Sequence, residues 1–170
     1  GGALPIRQIA AGRPETTTFK DIPQIKPNYL QIAKEAVSLI QENDVIYIPS
    51  TTLGLFMVKN LPEHLKIKVV TNSILIADEL RTLTNVSVII LGGEMDNKGN
   101  CCDTIAVETV KRLRLDKCFI TSACISASFG LSIQSTPYIS FFNALIDSSR
   151  LTIGLYPKEK IGFDSIVSIC

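Results

Sequence analysis

Four times along this chain an apolar run ends in small or hydroxyl-bearing residues and is followed by a helical-period stretch. The runs are Val45–Ile48, Ile67–Val70, Val86–Leu91 and Lys117–Ile120. They end at Ser50-Thr51-Thr52, Thr71-Asn72-Ser73, Gly92-Gly93 and Thr121-Ser122. None shows strict polar–apolar alternation, which marks strands covered on both faces. Strand–helix alternation of this kind demands right-handed crossovers and a mainly parallel sheet. The expected fold class is therefore three-layer α/β, with helices on both faces and all four strands parallel and interior. In such sheets the loops at the carboxyl ends of the strands line one crevice, and ligands bind there.

The first junction carries the most chemistry. V-I-Y-I-P-S-T-T-L-G-L-F-M-V-K-N-L (45–61) reads as buried strand, tight loop and helix, with Leu53, Phe56, Met57 and Leu61 on one side. Unpaired N–H groups and neighbouring hydroxyls at a helix N-terminus make an anion site. Ser and Thr also cap helices that bind nothing. The recurrence of the junction, more than any single copy, argues for a ligand crevice.

Around these junctions the chain falls into order. Residues 1–27, with Pro5, Pro14, Pro23 and Pro27, read as a linker. A helix is expected over Asn28–Ile40, with Leu30, Ala33, Val37 and Ile40 on one face. Further helices fit Ile74–Arg81 and Thr104–Leu113, the second after a polar loop. Ser122 to Gln134 reads as a long small-residue loop in which Gly130 takes a positive φ. Thr136 and Pro137 are expected as cap and first residue of a helix to Ser148, whose stripe of Ile139, Phe142, Leu145 and Ile146 suits core or subunit interface. Arg150–Leu155 and Ser165–Ile169 close the chain as strands.

Composition narrows the function. With 46% hydrophobic and 19% charged residues in 170, the chain reads as one globular domain. Net charge is +1, and the basic cluster Lys111, Arg112, Arg114 sits where a helix should end, complementing its dipole rather than a nucleic acid. No apolar run suits a bilayer span or a signal peptide. Five cysteines, an odd count without C-x-x-C, suggest reduced thiols in a cytoplasmic protein, with Cys118 as core filler. The sole histidine, His64, falls in the turn L-P-E-H-L, at the opposite edge from the crevice, and Cys124 has no histidine to activate it. Glu94, Asp96 and Asp103 are the carboxylates near the crevice, all in one polar loop. No catalytic residue, metal or cofactor is expected.

The motifs then resemble a family. I-A-K-E-A-V-S-L-I, S-T-T-L-G-L, V-V-T-N-S, I-I-L-G-G, R-L-R-L-D-K-C-F-I and the late K-I-G occur in the order and spacing of the effector-sensing domain of DeoR-type bacterial repressors. The opening G-G-A is similar to the segment after that family's DNA-binding wing. The resemblance implies the fold of ribose-5-phosphate isomerase, glucosamine-6-phosphate deaminase and the coenzyme A transferases. It also implies a sugar-phosphate effector, a homo-oligomer (dimer or tetramer), and an upstream winged helix-turn-helix that alone touches DNA. Residues 28–170 would be the sensor. Departures are marked: Pro49 and Thr51 replace an Asp and a Gly of the phosphate loop, Ser126 ends a stretch that differs from G-x-x-G-I-D, and Tyr138, Phe142 and Tyr156 replace Glu, Lys and Asp.

Three readings remain. In the first, Ser50, Thr51, Thr52 and the amides of Thr51, Thr52 and Leu53 hold a phosphate, Asn72, Ser73, Gly92, Gly93, Thr121 and Ser122 line the crevice, and Lys160 supplies countercharge. In the second, the fold is a ligand-blind oligomerisation module. In the third, it is a sugar-phosphate isomerase or deaminase.

Overall fold

The computed structural model describes residues 27–170. The linker expected at 1–27 lies outside the described residues, except Pro27, which opens α1 (Pro27–Ser38). Three strands set the architecture: β1 (Val45–Tyr47), β2 (Ile67–Thr71) and β4 (Leu115–Ile120). Successive side chains of a strand point to opposite faces, and here both faces are apolar. Ile46, Ile67, Val69 and Phe119 enter one core with Ala33 and Ala36 of α1, Leu53 and Met57 of α2 (Thr52–Lys59), and Ile76 and Leu80 of α3 (Ile74–Leu80). Tyr47, Val70, Cys118 and Ile120 enter the other with α4 (Thr104–Lys111) and α5 (Ile139–Asp147), through Ala106, Val110, Phe141 and Leu145. Cys118 is fully buried core, as expected.

With β3 (Val86–Ile90) and β7 (Ser149–Gly154) at its two ends, the sheet runs β3-β2-β1-β4-β7, and every neighbouring pair is parallel. The three-layer α/β expectation holds. One part of it does not: β3 (Val86–Ile90) is an edge strand, with Ser87 and Ile90 exposed, rather than an interior one. An apolar run without alternation does not say how many neighbours a strand has, and among the described residues β3 has one. The opposite edge is β7 (Ser149–Gly154).

A second sheet corrects the reading of Ser122–Gln134 as a loop. β5 (Cys124–Ser126) and β6 (Gly130–Ile133) form an antiparallel hairpin, and β8 (Val167–Ser168) pairs with β6. The hairpin is built by backbone pairing of small residues, so few β-branched or aromatic side chains announce it. Gly130 has φ +69, as expected, and a Cβ there would lie 1.8 Å from the Cys170 carbonyl oxygen.

The helices differ from expectation mainly at their ends. Leu30 is 38% exposed; the buried face of α1 is Ala33, Ala36 and Val37, continued by Ile40. Thr136 caps nothing: it begins a 3-10 turn, Thr136–Tyr138, which leads into α5. Pro27 and Pro137 each sit in a first turn, where a missing N–H has no helical acceptor to lose. On α5, Phe141, Ala144 and Leu145 are buried, whereas Ile139, Phe142 and Ile146 are half-buried. The basic cluster ends α4 as expected, with Arg114 Nη1 donating to the carbonyls of Lys111 (3.3 Å) and Leu113 (2.8 Å). Among the described residues no helix is long and apolar enough to cross a membrane.

At the amino ends of the strands, Lys117 of β4 pairs with Asp44, and their side chains are only 13% and 9% exposed. Asp44 also accepts from the Gln41 N–H at 2.7 Å. Removing one partner of a buried pair strands the other charge, at about 3–5 kcal/mol. Lys117→Met should therefore lower unfolding free energy by about that amount in urea titration. Adding Asp44→Asn, which can keep the Gln41 contact but carries no charge, should recover part of the loss.

Candidate functional site

The crevice begins where β1 turns into α2. Thr51 is extended (φ −135, ψ 169), and its Oγ1 accepts from the Gly54 N–H at 3.3 Å, capping the helix. Its own N–H donates to the Pro49 carbonyl at 2.8 Å. That corrects the expectation that the Thr51 amide is available to an anion. The Thr52 and Leu53 amides, and the Ser50 and Thr52 hydroxyls, meet no hydrogen-bond partner among the described residues. Gly54 makes this possible: a Cβ there would lie 1.9 Å from the Pro49 carbonyl oxygen. The helix starts directly on that carbonyl because position 54 has no side chain.

At the end of β2, both ends of the Asn72 amide hold a protein partner. The Tyr47 hydroxyl donates to its Oδ1 at 2.8 Å, and its Nδ2 donates to Cys102 Sγ at 3.0 Å. Ser73 caps α3, accepting from the Ile76 N–H at 3.4 Å. At the end of β4, Ser122 Oγ donates to the Cys124 carbonyl (2.9 Å) and lies 2.6 Å from the Tyr156 hydroxyl, which also accepts from the Ser122 N–H at 3.2 Å. Lys160 Nζ donates to the Ser122 carbonyl at 3.1 Å, so this lysine is tied to the crevice wall. Thr121 differs from its neighbours. It is 8% exposed, and its Oγ1 has no hydrogen-bond partner among the described residues. Alternation along β4 places it with Phe119, on the face covered by α1 and α2. Asn28 Oδ1, at the start of α1, is likewise buried and unpaired among the described residues, while Asn28 Nδ2 reaches Glu159 at 3.3 Å, next to Lys160.

Gly92 and Gly93 stand apart. They follow the edge strand β3, separated from β1 by β2, and both are exposed. Gly93 has φ +136 and backs onto Asp103, whose carboxylate accepts from the N–H groups of Glu94 (3.0 Å) and Ala106 (3.1 Å) and caps α4. Those two N–H groups, Glu94's first, hold the Asp103 carboxyl below the usual range. Asp96 accepts from the backbone of Lys98 (2.8 Å) and Asn100 (2.9 Å), so it too folds its loop. His64 is exposed in the turn before β2, at the far end of the strands.

Burial disfavours the thiolate at several of the cysteines. All five cysteines are free. Burial pushes Cys102 and Cys118 up to about 12, and raises Cys124. Burial likewise raises the Tyr47 and Tyr156 hydroxyls. Among the described residues no group of three or more His, Cys, Asp or Glu side chains is placed to hold a metal. Sequence reasoning missed Tyr47, Cys102 and Asn28. Tyr47 stood inside an apolar run, and only its position at the strand end hinted that its hydroxyl would reach the next junction.

Two outcomes follow from these contacts. Gly54→Ala gains about 1 kcal/mol in helix propensity but forces a clash with backbone, and overpacking costs about 1–3 kcal/mol. The net should be a lower urea midpoint. Cys102 and Cys118 are raised in the folded state, so their contribution is intact below the ordinary thiol value of 9.0 and is lost as pH climbs toward about 12. The melting temperature should fall across that window, and Cys118→Ala should make the fall shallower.

The chain has clear relatives. A family model described as the DeoR C terminal sensor domain matches residues 28–170. The HTH-type transcriptional regulator YgbI of Escherichia coli (strain K12), itself uncharacterised, is 30% identical over 132 residues, covering 77% of this chain and 51% of that protein. The glycerol-3-phosphate regulon repressor of Haemophilus influenzae is 25% identical over 138 residues, covering 81% of this chain and 54% of the repressor. The chain thus spans about half the length of the curated relatives it matches. Ribose 5-phosphate isomerase A from Neisseria gonorrhoeae shares the fold, with TM-score 0.57 and 14% identity over 87% of this chain and 56% of the isomerase.

Proposed function

Because the chain belongs to the DeoR C-terminal sensor domain family, we propose that it is the effector-sensing and oligomerisation part of a repressor, binding a small phosphorylated metabolite at the start of α2. The observation that carries this is the set of unpaired polar groups at one end of the sheet. Among the described residues the Thr52 and Leu53 amides are free at the N-terminus of α2, and a buried, partnerless Thr121 hydroxyl lies on the same face. Buried polar groups are almost always paired, so an orphan of this kind argues for a missing partner. A phosphate there gains the helix dipole, about 0.3–1 kcal/mol, and charge-assisted hydrogen bonds of about 1.5–3 kcal/mol each.

The crevice reads as a sensor rather than an active site. Its thiols are held protonated by burial, and its histidine is at the other end of the strands. The effector would work by favouring one of two arrangements of an oligomer, so that an upstream winged helix-turn-helix releases or holds DNA. Half-buried Ile139, Phe142 and Ile146 on α5 offer an apolar surface for self-association.

Titration calorimetry with phosphate and phosphorylated sugars tests the site. Binding is expected in the wild type, weakened about ten-fold by Thr52→Ala, equivalent to about 1.4 kcal/mol. No heat and no thermal shift with any phosphate compound at millimolar concentration would leave a ligand-blind oligomerisation module as the better reading.

A further inference from the structure

Resting on the oligomeric part of that reading and not on its phosphate site, we infer that two copies of this chain join edge to edge through β3, antiparallel about a twofold axis at Val88. A sheet edge presents a row of unpaired N–H and C=O groups, and natural proteins blunt it with charge, proline or a bulge. β7 is blunted by Arg150, whose side chain is 84% exposed. β3 is not blunted. From Asn85 to Gly93 the chain reads N-V-S-V-I-I-L-G-G, with no charge and no proline. Valine and isoleucine fill every position of β3 except Ser87, a composition that suits strand pairing.

The backbone shows which groups are open. In a strand the N–H and C=O of one residue point to the same side, and successive residues point to opposite sides. The Asn85 carbonyl accepts from the Ile67 N–H at 3.2 Å, and the Leu91 N–H donates to the Thr71 carbonyl at 2.8 Å. Residues 85, 87, 89 and 91 therefore face β2, and the backbone groups of Val86, Val88 and Ile90 point outward. The Val86 N–H turns back to the Leu83 carbonyl at 3.4 Å. Among the described residues the N–H groups of Val88 and Ile90, and the carbonyls of Val86, Val88 and Ile90, meet no partner.

This set is its own complement. With a second β3 antiparallel about Val88, the two Val88 residues exchange both their bonds, and each Ile90 N–H reaches the Val86 carbonyl of the other copy. In the same register Ile90 faces Val86 and Ile89 faces Ser87 of the other copy, so no like charges are opposed. Exposed apolar side chains accumulate around this edge. Ile90 is 47% exposed, and Ile74, Leu75, Met95 and Ile105 are exposed as well. They belong to the starts of α3 and α4 and to the loop after β3. The Ile74 N–H donates to Gly99 of that loop at 2.9 Å, and Asp103 of the α4 cap accepts from Glu94 at 3.0 Å. A paired strand alone buries little, and these side chains add the apolar area that a stable interface needs.

Light scattering and cross-linking on the 170-residue chain test the pairing. The wild type should be a dimer, or a multiple of one, at micromolar concentration. Ile90→Lys puts a charge on the bare edge and should weaken self-association at least about ten-fold, with the circular dichroism spectrum unchanged. The two Val88 Cα atoms would stand about 5.5 Å apart, inside the range of about 4.4–6.8 Å that a disulfide spans. With the exposed Cys170 replaced by serine, Val88→Cys should therefore form a disulfide-linked dimer under mild oxidation. Ser87→Cys, more exposed but set opposite Ile89 and not opposite itself, should not. If Ile90→Lys leaves the assembly intact, or Ser87→Cys links as readily as Val88→Cys, the β3 pairing is overturned and self-association passes to another surface such as α5. A wild type that stays monomeric overturns the pairing and the oligomeric reading together, and leaves the phosphate site to its own titration.

Discussion

Everything at the crevice depends on how closely α2 approaches the end of β1. Ile48 is still held in the sheet, its N–H donating to the Val70 carbonyl at 3.0 Å. The next carbonyl, that of Pro49, takes the Thr51 N–H at 2.8 Å and lies under Gly54. The chain therefore reverses from strand to helix within a single tight turn. That turn aims the remaining amides of the first helical turn at the carboxyl end of the sheet, and Leu53, Leu55 and Met57, locked in the core, keep it from relaxing. A helix set back by a Cβ radius would point the same amides at its own preceding loop.

Much of the fold was legible in the sequence because it rests on a local signal repeated along the chain. Runs such as Ile67–Val70 carry no polar residue that must find water except Lys68, so burial on both faces was readable. What was not legible was lateral order. Nothing in Val86–Leu91 distinguishes a strand with two neighbours from one with a single neighbour, and β3 proved to be an edge. The hairpin of β5 and β6 escaped for another reason: its strands are short and rich in small residues, and β6 gains its second neighbour, β8, from far along the chain.

The site was half legible. The hydroxyl-rich junctions at Ser50–Thr52, Asn72–Ser73 and Thr121–Ser122 do meet at one end of the sheet, since they end three adjacent strands. Which of their groups remain open was beyond reach, because that is decided by partners remote in sequence. Tyr156 engages Ser122 across 34 residues, and Cys102 engages Asn72 across 30. Gly93 shares the junction pattern yet serves a different end, seating the Asp103 cap of α4. A small residue after a strand marks a place where backbone comes close to something; the sequence does not say whether that something is ligand or protein.

Tyr47 gives the domain a property that neither core has alone. Its ring meets Phe141 of α5 edge-on, with centroids 6.2 Å apart and planes at 68°, while its hydroxyl holds Asn72 at the crevice. The phenol is a rigid strut with one foot on an outer helix and the other on the end of β2. A rotation of Phe141 cannot be absorbed by a flexible side chain along the way, because a tyrosine has only two side-chain torsions to spend. The seating of α5 and the orientation of Asn72 are therefore tied through one side chain, so that repacking at Phe141 reaches the end of β2 along a stiff phenol ring.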